Sequence, residues 1–75
     1  MITVSVKGEP LFGFPRNLEK VELGEPTFNS IMEHYNIDPK IRKHLLAIVN
    51  NQVSKPERML ENGDEINFQS PYSGG

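Results

Sequence analysis

One stretch of the 75-residue chain places apolar residues at helical spacing, and it lies near the middle of the sequence. The stretch consists of Phe28, Ile31, Met32 and Tyr35. Positions i, i+3, i+4 and i+7 share one face of an α-helix, so one face of this helix should be buried. Thr27 can cap its first turn, and Asn36 followed by Asp38-Pro39 can end it. We therefore expect a single helix of about ten residues, packed on a sheet.

The segments on both sides of this helix have the pattern of β-strands. Alternating or continuous apolar residues predict strands at 2–7, 18–23, 45–49, 52–54 and 65–69. The run from Leu45 to Val49 is nearly all apolar, which predicts a strand covered on most of its length. Turn residues separate the later strands at Asn50-Asn51 and at Asn62-Gly63-Asp64. The predicted class is α+β, with a mixed sheet of four to five strands packed on one main helix.

Two connecting segments carry residues that could contact partners. The segment Lys40–His44 is the only basic cluster, and a solvated surface turn is favoured over a patch for an acidic partner. Phe12 and Phe14 lie in the predicted loop between the first two strands. They either fold back on the sheet or present a second contact.

Composition limits the classes of function. The chain is long enough for one small domain, residues 1–75. Its net charge is −2, a poor match for nucleic acid. It has no cysteine, which fits a reducing compartment. No signal peptide or apolar run of about 18 residues is visible, so a cytoplasmic protein without a membrane partner is expected.

Motifs for catalysis or for metal binding are missing from the sequence. Gly8 and Gly13 have the spacing of a phosphate loop, but Phe14-Pro15 follows where Lys and Ser or Thr are needed. His34 and His44 lack acidic or cysteine neighbours at ligand spacing, so no metal site is predicted. Asp64 and Glu65 should point to opposite faces of a strand, with Asp64 completing the turn. An enzyme is therefore the least favoured function.

The C-terminal sequence Pro71-Tyr72-Ser73-Gly74-Gly75 follows directly after the last predicted strand. Neither Gly74 nor Gly75 has a Cβ atom, so this segment is thin and has wide conformational freedom. Residues 70–75 are predicted to form a flexible tail. A terminal glycine carboxylate can be threaded into the active site of another enzyme. The alternatives are a passive tail or a remnant of an expression vector.

The order of elements and several motifs in the last thirty residues resemble a known family. The motif residues are Ala47-Ile48-Val49-Asn50, Val53, Leu60, Asn62-Gly63-Asp64-Glu65-Ile66, Pro71 and Ser73-Gly74-Gly75. In these residues the chain resembles the ThiS/MoaD-type sulfur carriers, which are ubiquitin-like β-grasp proteins with a C-terminal Gly-Gly. The resemblance implies a β-grasp fold and a carrier function rather than catalysis.

The resemblance also implies which residue carries the sulfur. In this family a ubiquitin-activating-like enzyme uses ATP to adenylate the terminal carboxylate, which here belongs to Gly75. A sulfur donor, such as a cysteine desulfurase or a rhodanese-like protein, then converts the adenylate to a thiocarboxylate. A sulfur-accepting synthase receives the sulfur. Gly74 and Ser73 would thread into the activating site, and the carrier itself would bind no cofactor.

The partner surface is expected near the tail. Tyr72 lies beyond the last strand and is favoured as an interface residue, with Phe68 and Met59 as further candidates. For Phe68 a place in the core is the stronger interpretation, because it alternates in step with Ile66.

The pathway and the fate of the tail stay open at this point. The length resembles thiamine-type carriers, whereas Pro71 before the Gly-Gly resembles carriers of molybdopterin or tungstopterin synthesis. Two alternatives use the same fold. One is a ubiquitin-like modifier joined to proteins through Gly75, and the other is a β-grasp interaction module whose tail is passive.

Overall fold

Five strands form one mixed sheet in the computed structural model, which describes residues 1–70. The strands are β1 (Ile2–Gly8), β2 (Glu19–Leu23), β3 (Leu46–Val49), β4 (Gln52–Val53) and β5 (Glu65–Gln69). Two α-helices, α1 (Phe28–His34) and α2 (Pro39–Arg42), lie between β2 and β3 in the sequence, and a 3₁₀ turn (Pro10–Phe12) follows β1. The predicted α+β class and mixed sheet are confirmed.

The last strand lies in the middle of the sheet. The strand order is β2-β1-β5-β3-β4, with β5 parallel to β1 and antiparallel to β3. The other two pairs, β1 with β2 and β3 with β4, are antiparallel. Since β1 and β5 are parallel, the chain must cross from one to the other, and both helices lie in this crossing connection.

One face of the sheet and the apolar face of α1 form the core. Its fully buried side chains are Val4, Val6, Ile31, Ile37, Val49, Ile66 and Phe68. Along β1 and β5 these residues alternate with more exposed neighbours, as expected for strands with one buried face. The predicted alternation of the first and last strands is therefore confirmed.

Both ends of α1 form where the sequence predicts them. The Thr27 hydroxyl accepts a hydrogen bond from the Ser30 N–H at 3.2 Å, which satisfies a first-turn donor. Asn36 has a left-handed φ of 55°. The N–H of Ile37 donates to the carbonyl of Met32 at 2.9 Å, and the N–H of Asn36 donates to the carbonyl of Glu33 at 3.1 Å. These two bonds complete a Schellman motif, and they bury Ile37 against the core.

The second helix corrects the prediction of a single helix and of a plain surface turn in the basic segment. Asp38 caps α2, since its carboxylate accepts a hydrogen bond from the Lys40 N–H at 2.9 Å. Pro39 is the first helical residue, where its missing N–H costs nothing. The Asp-Pro pair that ends one helix therefore also begins the next.

The β3 strand is less covered than predicted. Only Val49 is buried among its four residues, and the Leu46 side chain is 43% exposed. The expectation of a strand covered on most of its length was wrong, because no element within residues 1–70 covers the face of β3 that points away from α1. The tight turn after β3 is confirmed, since Asn50 and Asn51 have φ values of 50° and 70°.

The loop between β1 and β2 folds back on the core. Phe14 is buried and stacks on Phe68, with ring centroids 4.8 Å apart. Phe12 is partly buried against the same cluster. A Cβ atom on Gly8 would lie 2.7 Å from the Phe14 ring, so this close packing requires glycine. The structure therefore shows that Phe12 and Phe14 fold back on the sheet, which was the first of the two expectations for them.

None of the helices within residues 1–70 has the length and apolar character needed to cross a membrane.

Candidate functional site

The residues predicted to carry or to thread the sulfur lie outside the described part of the chain. Tyr72, Ser73, Gly74 and Gly75 all follow Ser70, the last described residue. The roles of these four residues stay predictions. The predicted flexible tail at 70–75 also stays a prediction, since all of it but Ser70 lies outside the described residues. What the structure shows is the part of the sheet from which this segment leaves.

The chain leaves the sheet beside the first residue of β3. Gln69, the last residue of β5, is paired with Leu46. Because β5 is central, its end has β1 on one side and β3 on the other. The last described part of the chain therefore lies next to β3.

An apolar surface lies at this end of the sheet, on the face opposite α1. Leu46 and Ile48 alternate with the core-facing Ala47 and Val49, so they point outward. Val53 is paired with Ile48 across β3 and β4, which puts it on the same outer face. Leu46 is 43% exposed and Val53 is 69% exposed. We refer to Leu46, Ile48 and Val53 as the outer patch.

The residues of β5 that pair with the outer patch are amides. Asn67 is paired with Ile48, and Gln69 is paired with Leu46, so both amides lie on the outer face beside the apolar residues. Charged side chains lie farther out, since Lys7 and Glu65 line a hollow with Ile48, and Lys55 and Arg58 line another with Val53. An apolar surface with a polar rim is typical of a protein interface.

Of the predicted interface residues within 1–70, only Met59 lies on the surface. Its side chain is 60% exposed, in the segment between β4 and β5. Phe68 has no exposed surface at all, because it points to the core and packs edge-on against Phe28 as well as flat against Phe14. The prediction that Phe68 contacts a partner directly was wrong, and its role is to support the core.

The sequence contained part of the signal for the outer patch. Alternation along β3 puts Leu46 and Ile48 on the face opposite Val49. Because the run is nearly all apolar, the sequence does not show which of these two faces is exposed. The place of Val53 depends on the β3–β4 register, and that register follows from the two-residue turn at Asn50-Asn51. An aromatic at the end of β5 was a more conspicuous candidate than these aliphatic residues.

The Asn-Gly-Asp-Glu motif has a structural role. The carboxylate of Asp64, which is only 6% exposed, accepts hydrogen bonds from the Asn50 side-chain amide at 3.0 Å and from the Glu61 N–H at 2.8 Å. Asn50 in turn accepts a bond from the Glu65 N–H at 3.0 Å. Arg58 lies 3.6 Å from the same carboxylate. These bonds fix the β3–β4 turn against the start of β5.

The same motif is attached to the first strand. The Thr3 N–H donates to the Asn62 side-chain oxygen at 2.8 Å, and the Gly63 N–H donates to the Thr3 carbonyl at 2.8 Å. Asp64 therefore completes the turn, as predicted. It is buried, whereas Glu65 is exposed, so the two carboxyl groups do not form a shared site.

The other titratable side chains of the described region give no reaction centre. No group of three or more His, Asp or Glu side chains that could hold a metal ion occurs within residues 1–70. Tyr35 donates a hydrogen bond to Glu19, and burial, this bond and the nearby negative charge raise its pKa well above the usual value. The ring also packs edge-on against His34 and near Phe14. Tyr35 therefore joins α1 to β2 as a structural residue.

Searches of protein-family models, of curated proteins and of solved structures gave no match to this chain.

Proposed function

We propose that this protein is a sulfur carrier that works through the carboxylate of Gly75. A partner enzyme would adenylate this carboxylate with ATP, and a sulfur donor would convert it to a thiocarboxylate. The observation that carries the proposal is the position of β5. This strand is central in the sheet, it ends beside the outer patch, and Gly74-Gly75 follows its last residue closely in the sequence.

The finer fold class belongs to the same proposal. A β-grasp fold is supported by the element order, by the parallel pairing of β1 with β5, and by the packing of α1 on one face of a mixed sheet. The motif residues that carry the resemblance also support it. Asn50 of the β3–β4 turn is hydrogen-bonded to Asp64 and Glu65 at the start of β5. These motif residues therefore stabilise the fold itself, which explains why they would be shared by proteins of the same fold.

The length of chain after the sheet is sufficient for the proposed chemistry. Six residues, 70–75, follow Gln69, and they can span at most about 20 Å when extended. This distance would let Gly75 reach an active site in a partner while the sheet stays on the partner surface. Ser73 and Gly74 have small side chains or none, which suits a narrow channel.

The chemistry requires a partner, because a carboxylate is a poor acyl electrophile. Attack of a Gly75 carboxylate oxygen on the α-phosphate of ATP expels pyrophosphate and leaves an acyl-adenylate. A persulfide of the donor then attacks the acyl carbon and expels AMP, which leaves an acyl disulfide. A second thiol of the partner attacks the donor's sulfur in this acyl disulfide, so that the S–S bond breaks, the Gly75 thiocarboxylate leaves and a disulfide forms between the partner and the donor. The chain lacks the Lys and Ser or Thr of a phosphate loop, so the activating enzyme would supply the nucleotide site. A synthase would accept the sulfur in thiamine or molybdopterin-type synthesis, in the cytoplasm.

The outer patch is the proposed contact surface for the activating enzyme, with Met59 and Tyr72 as additional contacts. Its aliphatic side chains are exposed, and the adjacent Asn67 and Gln69 can form hydrogen bonds at the border. Gln69, the last residue of β5, is paired with Leu46 of the patch, so a partner docked there would lie close to the end of this strand.

Pyrophosphate exchange catalysed by the activating enzyme from the same cell tests this function. We expect exchange that depends on the carrier and that is lost when Gly75 is deleted, while the melting temperature of the deleted variant stays unchanged. Exchange that persists at full rate without Gly75 would contradict the proposal. Transfer of the chain to lysine side chains of other proteins would instead identify it as a protein modifier.

A further inference from the structure

A groove of about 540 Å³ opens on the helix side of the sheet. Phe28 and Met32 of α1 form one wall, Pro39 and Pro56 lie at other parts of its border, and Ala47 of β3 is at its base. Phe68 lies directly beneath this base without exposed surface of its own. The volume falls in the range of sites that take a few side chains of a ligand.

The charged residues on the rim of this groove are both cations. Arg42 and Lys43 line it, and no Asp or Glu does, although the whole chain has a net charge of −2. Asn29 and Ser54 supply uncharged polar atoms on the same rim. The groove therefore combines apolar walls with a local positive charge, which favours an occupant that has apolar and negatively charged groups.

The Arg42 guanidinium is held in place by two hydrogen bonds. Its Nε donates to the Ile37 carbonyl at 3.0 Å, and its Nη1 donates to the Asn29 side-chain oxygen at 2.9 Å. Ile37 follows the last turn of α1, whereas Asn29 lies in its first turn. The Asn29 amide also donates to the Glu33 carboxylate at 2.8 Å, so one negative charge lies behind this part of the rim. A cation with a fixed orientation loses little conformational entropy when a carboxylate binds to it. Lys43 is exposed and provides a second, flexible cation.

The groove and the outer patch share Leu46, although their other residues on β3 lie on opposite faces. Leu46 lines the groove together with Ala47, whereas Ile48 points to the outer face and is paired with Val53. A protein that covers Leu46 would therefore also cover one edge of the groove.

We propose that this groove binds an acidic, apolar peptide segment of a partner protein. A leucine or phenylalanine side chain would pack against Phe28 and Met32, and a flanking carboxylate would pair with Arg42 and Lys43. This interaction goes beyond the proposed sulfur transfer and does not require Gly75. Because Leu46 belongs to both surfaces, a peptide in the groove would limit access to that end of the outer patch.

Titration of the ¹⁵N-labelled chain with a capped Glu-Asp-Leu-Phe-Asp-Glu peptide tests the proposal by NMR. We expect the largest shifts at amides of α1 and α2 around the groove, with a Kd below about 1 mM at low salt. The same peptide with Ser in place of Leu and Phe, and one with Lys in place of the acids, should not bind. Largest shifts at Gln52 and Val53 of β4, or no binding of the acidic peptide, would overturn the proposal.

A charge reversal with a matched control tests the role of the rim. Lys43→Glu should raise the Kd about fivefold or more, whereas Lys20→Glu on β2, at the opposite edge of the sheet, should change it less than about twofold. Equal effects of both variants would mean general charge attraction and would contradict a specific site.

The chain's own C-terminal segment is the competing occupant of the groove. The pentapeptide Pro-Tyr-Ser-Gly-Gly, a copy of residues 71–75, should bind more weakly than the acidic peptide. Tighter binding of this pentapeptide to the same amides would identify the chain's own segment as the ligand and overturn the proposal.

Discussion

Replacement of Asp64 by alanine should destabilise the fold more than any other change at an acidic residue. The carboxylate is 6% exposed and accepts two hydrogen bonds, from Asn50 and from the Glu61 N–H. Bonds to a charged acceptor contribute about 1.5–3 kcal/mol each, which gives an upper bound of about 6 kcal/mol. The Asn50 residue is exposed, and water can replace part of the loss. We therefore expect Asp64→Ala to lower the free energy of unfolding by about 2–4 kcal/mol.

The matched control for this prediction is Arg58→Ala. Arg58 lies 3.6 Å from the Asp64 carboxylate, but its side chain is 38% exposed, so solvent screens the pair. Its removal should cost less than about 1 kcal/mol. A chain of this length has a free energy of unfolding of about 4–11 kcal/mol. The expected loss for Asp64→Ala is a large fraction of this value and the loss for Arg58→Ala a small one, so the two variants should be easy to distinguish.

Urea unfolding followed by circular dichroism measures both free energies. For a domain of this size a loss of 2–4 kcal/mol corresponds to a fall in Tm of about 10–30 °C. If Asp64→Ala and Arg58→Ala differ by less than about 0.5 kcal/mol, the hydrogen bonds of the buried carboxylate do not stabilise the turns as argued.

Three other changes test separate parts of the structure. Gly8→Ala should cost about 1–3 kcal/mol, because its Cβ would meet the buried Phe14 ring at 2.7 Å, whereas Gly24→Ala, with open space around it, should be nearly neutral in thermal melts. Since the pKa of Tyr35 is raised in the fold above its unfolded value near 10, the stability that this neutral phenol contributes is complete below pH 10 and is lost as the pH rises further. Between about pH 9 and 11 the free energy of unfolding should therefore fall more steeply for the wild type than for Tyr35→Phe. The difference should be less than about 1 kcal/mol per pH unit, because the ring is partly exposed. Equal pH dependence of the two proteins would contradict a raised pKa of Tyr35. Ile48→Asp should lower the free energy of unfolding by about 1 kcal/mol or less. In pyrophosphate exchange it should raise the KM of the activating enzyme for the carrier more than about tenfold. An unchanged KM would exclude the outer patch as the contact surface.

The parts of the fold with a local signal could be predicted from the sequence. The stripe from Phe28 to Tyr35 and the Thr27 cap predicted α1, and the Asn50-Asn51 pair predicted the turn after β3. Each of these depends on residues within one or two turns of the chain. The alternation of Ile66 and Phe68 likewise predicted which face of β5 is buried.

The parts that depend on distant contacts could not be predicted in the same way. The sequence showed Phe14 in a loop, but only the tertiary packing against Gly8 and Phe68 determines that it is a core residue. Helix α2 is four residues long, too short for a periodic pattern, and its only signal was Asp38-Pro39, which equally marks the end of a helix.

The candidate site was predictable to a smaller extent. The motifs led to Gly75 and to an interface near the end of β5. Phe68 was a candidate contact there, but its alternation with Ile66 favoured the core, where the structure places it. The outer patch requires the pairing of β3 with both β4 and β5, since Val53 joins Ile48 only through the register. Register between strands distant in the sequence follows from the assembled core, not from any single segment.

Alkylation of the protein isolated together with its native activating partner tests the central claim most directly. Because the chain has no cysteine, a thiol-directed reagent has no other thiol to modify. The proposal predicts alkylation of one site, localised by fragmentation to Gly75; fragmentation is required because oxidation of one of the three methionines adds nearly the same mass as exchange of oxygen for sulfur. An unmodified Gly75 in the presence of ATP, the sulfur donor and the activating enzyme would contradict the sulfur-carrier function.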